Sequence, residues 1–151
     1  MKTFVVREFM SQPVIATTPE AKVVEAHQRM IEKRVRRLPV LDQGKLVGII
    51  TLLDASEARP PDADTLRPTA RHVAISLMTV AEVMTHNPVT ISPNVSILDA
   101  ARLMARHKIS GLPVMEHDHL IGILTESDAF RAIVRAADED ARAEPLAKAL
   151  G

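Results

Sequence analysis

Cysteine is absent from this chain, which excludes disulfide bonds, thiolate chemistry and cysteine-bound zinc. Tryptophan and tyrosine are absent as well, and phenylalanine occurs only three times. A site that stacks nucleic-acid bases on several aromatic rings is therefore not expected. The core must be built from Val, Ile, Leu, Met and Ala side chains.

An excess of charge is also lacking, because 19 basic residues balance 19 acidic ones and the formal net charge is zero. Proteins that bind nucleic acids or membrane surfaces favour a basic excess, so neither partner is expected. No apolar run approaches the ~20 residues of a membrane-spanning helix. The first eight residues lack the apolar core of a secretion signal, and the expectation is a cytoplasmic protein.

The chain instead contains two copies of one sequence unit, with corresponding residues 74 positions apart (for example, 128 − 54 = 74). The shared residues are Met10 and Met84, Ala26 and Ala100, Met30 and Met104, Leu38-Pro39-Val40 and Leu112-Pro113-Val114, Gly48-Ile49 and Gly122-Ile123, Thr51 and Thr125, and Asp54 and Asp128. Such a repeat predicts two domains of one fold. The predicted organisation is repeat one at 6–56, a linker at 57–79 with a short helix at 71–78, repeat two at 80–135, and a C-terminal tail at 136–151.

Each copy has the same predicted order of elements. An extended segment (13–16 or 88–91) precedes a helix (20–33 or 96–107) whose apolar residues recur at helical spacing. Two short runs rich in β-branched residues follow, joined by a polar turn, which is typical of a hairpin. A second helix begins at Thr51 or Thr125. The sequence thus predicts an α/β fold of two β-α-β-β-α repeats. We expect them to pack about a pseudo-twofold axis, since one small sheet cannot bury both of its faces alone.

These motifs resemble the CBS domain, named after cystathionine β-synthase. The resemblance rests on a Met-Ser/Thr start, a helix, Leu-Pro-Val, and Gly-Ile-Ile/Leu-Thr-x-x-Asp in both copies. A tandem pair resembles a Bateman module, and the ending Gly122-Ile-Leu-Thr-Glu-Ser-Asp-Ala-Phe-Arg131 is similar to that of small acetoin-utilisation-type CBS proteins. The resemblance implies a non-enzymatic regulator that binds adenosine-containing ligands in a cleft between its repeats. The implied ligands are AMP, ADP and ATP, or S-adenosylmethionine in some members, and dimers are usual.

The motif Thr51-Leu-Leu-Asp54, repeated as Thr125-Glu-Ser-Asp128, has two interpretations. A hydroxyl at the N-cap and a carboxylate three residues later form a capping box, which is a purely structural feature. The resemblance implies instead that each aspartate accepts hydrogen bonds from ribose hydroxyls, with the threonine nearby. The two roles are compatible at a helix N-terminus, and the recurrence in both copies favours a binding site.

Basic residues precede the first Leu-Pro-Val, where the resemblance places phosphate contacts. Arg36 and Arg37 lie directly before Leu38, and the arginine fork suits phosphate, although charged residues at a helix end are often only solvated. The second copy has Ser110-Gly111 instead and retains only Lys108 as a basic residue. A phosphate site in the second copy is therefore in doubt.

The resemblance also implies backbone contacts to adenine from the first extended segment. Thr90 fits the family pattern there, whereas its counterpart Ala16 does not. Backbone hydrogen bonds do not depend on that side chain, so the first copy stays a candidate.

The histidines provide no convincing metal site or catalytic group. His117-Asp118-His119 falls in the second hairpin turn, where polar residues are expected, and it lacks the usual spacing of a structural zinc site. We expect no metal, no cofactor and no catalytic residues.

The sequence therefore predicts a homodimeric, ligand-sensing module that acts on an unidentified protein partner. A dimerisation or scaffold protein without nucleotide is the main alternative, and a metal-dependent enzyme using His117 and His119 is a weaker one.

Overall fold

The computed structural model describes residues 2–150, with the side chains of residues 145–149 left aside. The helices and strands in chain order are α1 (Val23–Lys33), β1 (Arg37–Asp42), β2 (Lys45–Thr51), α2 (Leu52–Ser56), α3 (Pro68–Leu77), α4 (Val80–Val83), β3 (Thr85–His86), α5 (Ile97–His107), β4 (Gly111–Glu116), β5 (His119–Thr125) and α6 (Glu126–Leu150). Short 3-10 helices occur at Val6–Glu8 and Ala63–Thr65. The predicted mixed α/β fold with two similar repeats is confirmed.

The chain forms two compact units whose boundaries differ from those of the sequence repeat. The first unit is the continuous stretch Ile15–Pro88, and the second combines Met1–Val14 with Val89–Gly151. The opening segment of each repeat therefore belongs to the unit built mainly from the other repeat. The 74-residue repeat does not predict this exchange of opening segments between the units, because the opening segment of either repeat would complete either sheet.

The hairpins β1–β2 and β4–β5 have the same register and the same irregularity. Arg37 pairs with Thr51 in one hairpin and Gly111 with Thr125 in the other, and each register shifts at the fourth strand residue. Both central turn residues have positive φ in each copy: 50° and 81° at Gln43-Gly44, and 51° and 62° at His117-Asp118. Two such residues make the turn that matches strand twist in a two-residue hairpin.

The predicted first strand of each repeat is shorter than expected. The chain here forms a single parallel bridge: Thr17, one residue after the predicted segment 13–16, pairs with Val40 in the first unit, and Ile91 pairs with Val114 in the second. Two backbone hydrogen bonds hold each bridge, for example from Thr17 N–H to Pro39 O and from Leu41 N–H to Thr17 O, both 2.9 Å. Proline is the third residue of both β1 and β4 and has no N–H to donate, but its carbonyl accepts one of the two hydrogen bonds of each bridge.

The opening segments complete the sheets on the opposite side. In the first unit, Thr85 pairs with Ile49, and in the second, Ser11 pairs with Ile123. A close contact accompanies each pairing, since a Cβ on Gly48 would lie 2.5 Å from the Met84 sulfur. A Cβ on Gly122 would lie 2.6 Å from the sulfur of Met10. The repeated Met and Gly residues are thus two sides of one packing contact.

Some helix boundaries differ from those predicted from the sequence. α1 begins at Val23, three residues later than expected, whereas α5 begins directly after Ser96, whose hydroxyl accepts a 3.0 Å hydrogen bond from Asp99 N–H. α6 runs from Glu126 to Leu150. Most of the segment expected as a separate tail is therefore part of α6, and Gly151 lies outside the described residues.

Each unit has its own aliphatic core, as the composition predicts. Met30, Leu38, Val40 and Ile50 are buried in the first, and their counterparts Met104, Leu112, Val114 and Leu124 are buried in the second. The second core also takes in Phe4, whose ring meets Phe9 edge-on at 5.2 Å.

Candidate functional site

The first Thr-x-x-Asp motif lies where β2 passes directly into α2. Thr51 is the N-cap, and its hydroxyl accepts a 3.0 Å hydrogen bond from Asp54 N–H. In return, Asp54 Oδ2 accepts a 2.9 Å hydrogen bond from Thr51 N–H. The capping box expected from the sequence is therefore present, and the half-buried Asp54 carboxylate lies at a helix N-terminus, which favours negative charge.

The second motif occupies the equivalent place between β5 and α6 but has different side-chain contacts. Asp128 is buried, with 3% exposure. Its Oδ2 accepts hydrogen bonds from Thr125 N–H (2.8 Å) and from the Thr125 hydroxyl (3.0 Å). Its Oδ1 accepts a hydrogen bond from the guanidinium of Arg131. The second carboxylate is thus more enclosed and more fully bonded than the first.

The paired arginines of the first unit lie beside the first motif. Arg36 is exposed, and its carbonyl accepts a 2.8 Å hydrogen bond from Leu52 N–H, the first residue of α2. Arg37 is half-buried and faces Thr51 in the β1–β2 register. The structure therefore brings Arg36, Arg37, Thr51 and Asp54 together at one end of the hairpin.

The same backbone link exists in the second unit without the positive charges. Ser110 O accepts a 3.1 Å hydrogen bond from Glu126 N–H. Lys108 is exposed and ends α5 in the left-handed conformation, with φ 54°. Its counterpart at the end of α1 is Arg34, with φ 56°. Lys108 thus aligns with Arg34, not with the Arg36–Arg37 pair, and nothing described joins it to Thr125 or Asp128.

The extended segments pair with the middle of β1 and of β4. Ala16 is half-buried and Thr90 is exposed, and each immediately precedes the residue that bridges to the neighbouring strand. Ala16 also lines an open groove of about 650 Å³ along α1, together with Thr17, Thr18, Val24 and Gln28.

The alternatives based on histidine gain no support. His117 and Asp118 are the turn residues of the second hairpin, and His119 begins β5. Across residues 2–150, no three side chains capable of binding a metal converge. His27, expected as a packing residue on α1, is half-buried.

One carboxylate with a shifted pKa lies outside the candidate site, on α4. Hydrogen bonds to Glu82 from the Thr79 backbone N–H (2.7 Å) and the Thr79 hydroxyl (3.1 Å) lower its pKa. Lys22 adds a smaller electrostatic contribution in the same direction. This glutamate closes a capping box and so has a structural role.

Arg131 is the site residue that the sequence reasoning missed. Its only signal was an Asp-x-x-Arg spacing on a helix, which brings the two side chains together. That spacing is common on helix surfaces, and only burial distinguishes this pair.

The geometry agrees with the comparisons with known proteins. The sequence profile of the CBS domain matches residues 6–60 and 80–135. The chain belongs to the CBS domain family.

The CBS domain-containing protein YhcV of Bacillus subtilis is 32% identical over 123 residues, covering 82% of this chain and 81% of that protein. Other curated relatives are far longer: the chain spans 23% of the inosine-5'-monophosphate dehydrogenase of Korarchaeum cryptofilum, at 35% identity over 123 residues and 81% of this chain.

Solved CBS structures that resemble this chain include complexes with ligands. CBSX2, a protein of Arabidopsis thaliana, was solved in complex with AMP and matches with a TM-score of 0.72 and 29% identity, covering 89% of this chain and 98% of that one. The CBS domain pair of protein MJ0100 was solved with 5-methylthioadenosine and S-adenosyl-L-methionine. It matches with a TM-score of 0.72 and 28% identity over 89% of this chain and 99% of that one. A putative acetoin utilization protein from Vibrio cholerae shares the fold, with a TM-score of 0.75, 22% identity, and coverage of 93% and 98%.

Within residues 2–150, no helix has both the length and the apolar character needed to cross a bilayer.

Proposed function

We propose that this CBS domain pair is a non-enzymatic regulatory module that binds an adenosyl ligand, with the adenine nucleotides AMP, ADP and ATP as its main class. The observation that carries the proposal is the half-buried Asp54 carboxylate at the N-terminus of α2, beside Arg36 and Arg37. A carboxylate accepts hydrogen bonds from the two ribose hydroxyls, and guanidinium groups donate to phosphate. One end of the first unit thus offers both chemistries that a nucleotide needs.

The ligands of related proteins support this class. CBSX2 binds AMP, and the MJ0100 domain pair binds S-adenosyl-L-methionine and 5-methylthioadenosine. All three ligands contain adenosine or its 5'-thio derivative. Regulation requires only that the ligand bind one conformation of the module more tightly than another, because differential affinity is what shifts an equilibrium. Cytoplasmic adenine nucleotides are the proposed signal, and the regulated protein is unidentified.

A thermal-shift panel of AMP, ADP, ATP, NADH and S-adenosylmethionine tests the proposal. A ligand that binds only the folded chain at one hundred times its Kd adds about 2.7 kcal/mol of stability, and we expect the nucleotides to raise the melting temperature. Asp54→Ala is the matched variant: it loses a helix cap worth about 1 kcal/mol, stays folded, and should lose most of the ligand-induced shift. If no adenosyl ligand raises the melting temperature of the wild-type protein, the scaffold alternative is preferred.

S-adenosylmethionine is the second candidate ligand, and the MJ0100 complex is the observation in its favour. It carries no phosphate, so its binding would not need Arg36 and Arg37. In the second unit, Ser110-Gly111 replaces those arginines, which favours a phosphate-free ligand there. A shift with S-adenosylmethionine that survives substitution of both arginines would favour this candidate.

The module is also proposed to be a homodimer. Met30 and Met104 are only 1% and 4% exposed and belong to the unit cores. Other apolar side chains on the same helices and on α6 remain exposed: Val24, Ile31, Leu98, Phe130 and Val134. Exposed apolar area of this kind favours a self-complementary interface. Light scattering should give twice the chain mass of 16.6 kDa, and a concentration-independent monomer would contradict the proposal.

A further inference from the structure

The two Thr-x-x-Asp motifs differ in how much of the carboxylate is available to a ligand. In the first unit, Asp54 Oδ2 accepts one hydrogen bond, from Thr51 N–H, and no described residue donates to Oδ1. The carboxylate is half-buried, so one oxygen is available at the N-terminus of α2. A ribose diol has two hydroxyl donors and needs such an acceptor.

In the second unit, both oxygens of Asp128 have donors before any ligand arrives. Oδ2 accepts from the backbone N–H and the hydroxyl of Thr125, and Oδ1 accepts from Arg131. The Asp128 side chain is 4% exposed, whereas that of Arg131 is 65% exposed. The guanidinium thus lies on the solvent side of a buried carboxylate.

The sequence explains why only one of the two aspartates is paired with an arginine. Arg131 is three residues after Asp128, on the same face of α6. The corresponding position in the first repeat is Glu57 (131 − 74 = 57), which ends α2 as its C-cap. A glutamate cannot donate to Asp54, and its negative charge disfavours close approach.

We propose that Arg131, by pairing with the Asp128 carboxylate, competes with the hydroxyl groups of a ligand in the second unit. An adenosyl ligand therefore binds first and more tightly through Asp54. This inference rests on the proposed function and specifies which unit performs it. Binding through Asp128 requires the ligand to displace a charge-assisted hydrogen bond. A bond of that kind corresponds to about tenfold to a hundredfold in affinity. Because the guanidinium is mostly in solvent, the effect should lie near the tenfold end.

Calorimetric titration of AMP into the full chain tests this inference with two opposite substitutions. Arg131→Gln removes the charged donor, so the weaker AMP site of the wild-type protein should tighten by about tenfold. Glu57→Arg supplies the missing arginine to Asp54, so the tighter site should weaken by a similar factor. Asp54→Ala isolates the second site, and Asp54→Ala/Arg131→Gln should bind AMP about tenfold more tightly than Asp54→Ala alone.

Arg102→Gln is the matched control. Arg102 also pairs with an aspartate three residues away, Asp99, but both side chains are well exposed on α5. This variant should leave both AMP affinities unchanged, and circular dichroism confirms that each variant is folded.

The outcomes separate the inference from the proposed function. Equal AMP binding by Asp54→Ala and Asp54→Ala/Arg131→Gln would overturn the role of Arg131, as would weaker binding after Arg131→Gln. An unchanged affinity in Glu57→Arg would count against it independently, since that variant does not alter α6. Failure of the wild-type chain to bind AMP, adenosine or S-adenosylmethionine would overturn the proposed function, and the inference with it.

Discussion

The two units have the same hairpin geometry but different side chains at equivalent positions. The hairpins pair in the same register and shift at the same residue. α1 and α5 both end in a left-handed residue, and each sheet receives a methionine against a glycine. At the helix N-termini, however, Asp54 is partly available whereas Asp128 is enclosed by its partners.

This comparison separates residues that maintain the fold from residues that give each unit its own chemistry. At Thr51 and Asp54 the motif closes a capping box, a contribution of about 1 kcal/mol that would explain this copy without any ligand. The residues around it are not repeated: Arg36-Arg37 corresponds in sequence to Ser110-Gly111, and Glu57 corresponds to Arg131. Differences between the units in ligand binding should therefore follow the unrepeated residues.

The largest expected difference concerns phosphate. Arg36→Ala/Arg37→Ala should weaken AMP and ATP binding about tenfold to a hundredfold, because a hydrogen bond to a charged group contributes about 1.5–3 kcal/mol. Adenosine carries no phosphate and should bind the variant about as well as the wild-type protein. Titration calorimetry with the three ligands measures the effect. Equal losses for all three would show that the arginines stabilise the fold or the dimer and not the phosphate.

The next expected difference concerns the exchanged opening segments. A Cβ at position 48 would meet the Met84 sulfur at 2.5 Å and the Thr85 backbone oxygen at 2.9 Å. At position 122, the corresponding backbone contact, to Ser11 O, is 3.1 Å. A methionine side chain can move aside more easily than a backbone oxygen. We therefore expect Gly48→Ala to reduce the free energy of unfolding by about 2–3 kcal/mol and Gly122→Ala by about 1–2 kcal/mol.

Urea denaturation measures both losses, and a double-mutant cycle with the methionine identifies their origin. In a Met84→Ala background, Gly48→Ala should cost less than it does alone, because one of its two close contacts is gone. Strict additivity, or equal costs at the two glycines, would show that the contacts do not differ as described.

Much of the fold was predictable because it depends on local chemistry. The turn residues, the Thr51 cap and the apolar stripes of α1 and α5 all act within a few residues of the chain. The exchange of the opening segments was not predictable, since either sheet would accept either segment. The Arg131–Asp128 pair was equally hidden, because its spacing matches that of the exposed Arg102–Asp99 pair and only tertiary burial separates them.

The smallest expected difference lies in the opening segments themselves. Glu82 accepts hydrogen bonds from both the backbone N–H and the hydroxyl of Thr79. The equivalent Glu8 (82 − 74 = 8) accepts a 2.8 Å hydrogen bond from Val5 N–H, and valine has no hydroxyl to add.

Thr79→Val makes the second segment resemble the first and should raise the pKa of Glu82 only part of the way to its ordinary value. The Thr79 backbone hydrogen bond is the largest cause of the lowered pKa and remains, whereas the hydroxyl contribution is lost.

A carboxyl group with a lowered folded-state pKa stabilises the fold above its unfolded pKa, and this contribution disappears as the pH falls through the folded value. Glu82→Gln should therefore differ from the wild-type protein at neutral pH and converge with it in acid, by a small amount because Glu82 is exposed. Carboxyl-carbon NMR titration and urea denaturation between neutral and acid pH measure the two effects. An unchanged Glu82 pKa in Thr79→Val would mean that the backbone hydrogen bond accounts for the shift and that the two opening segments are electrostatically alike.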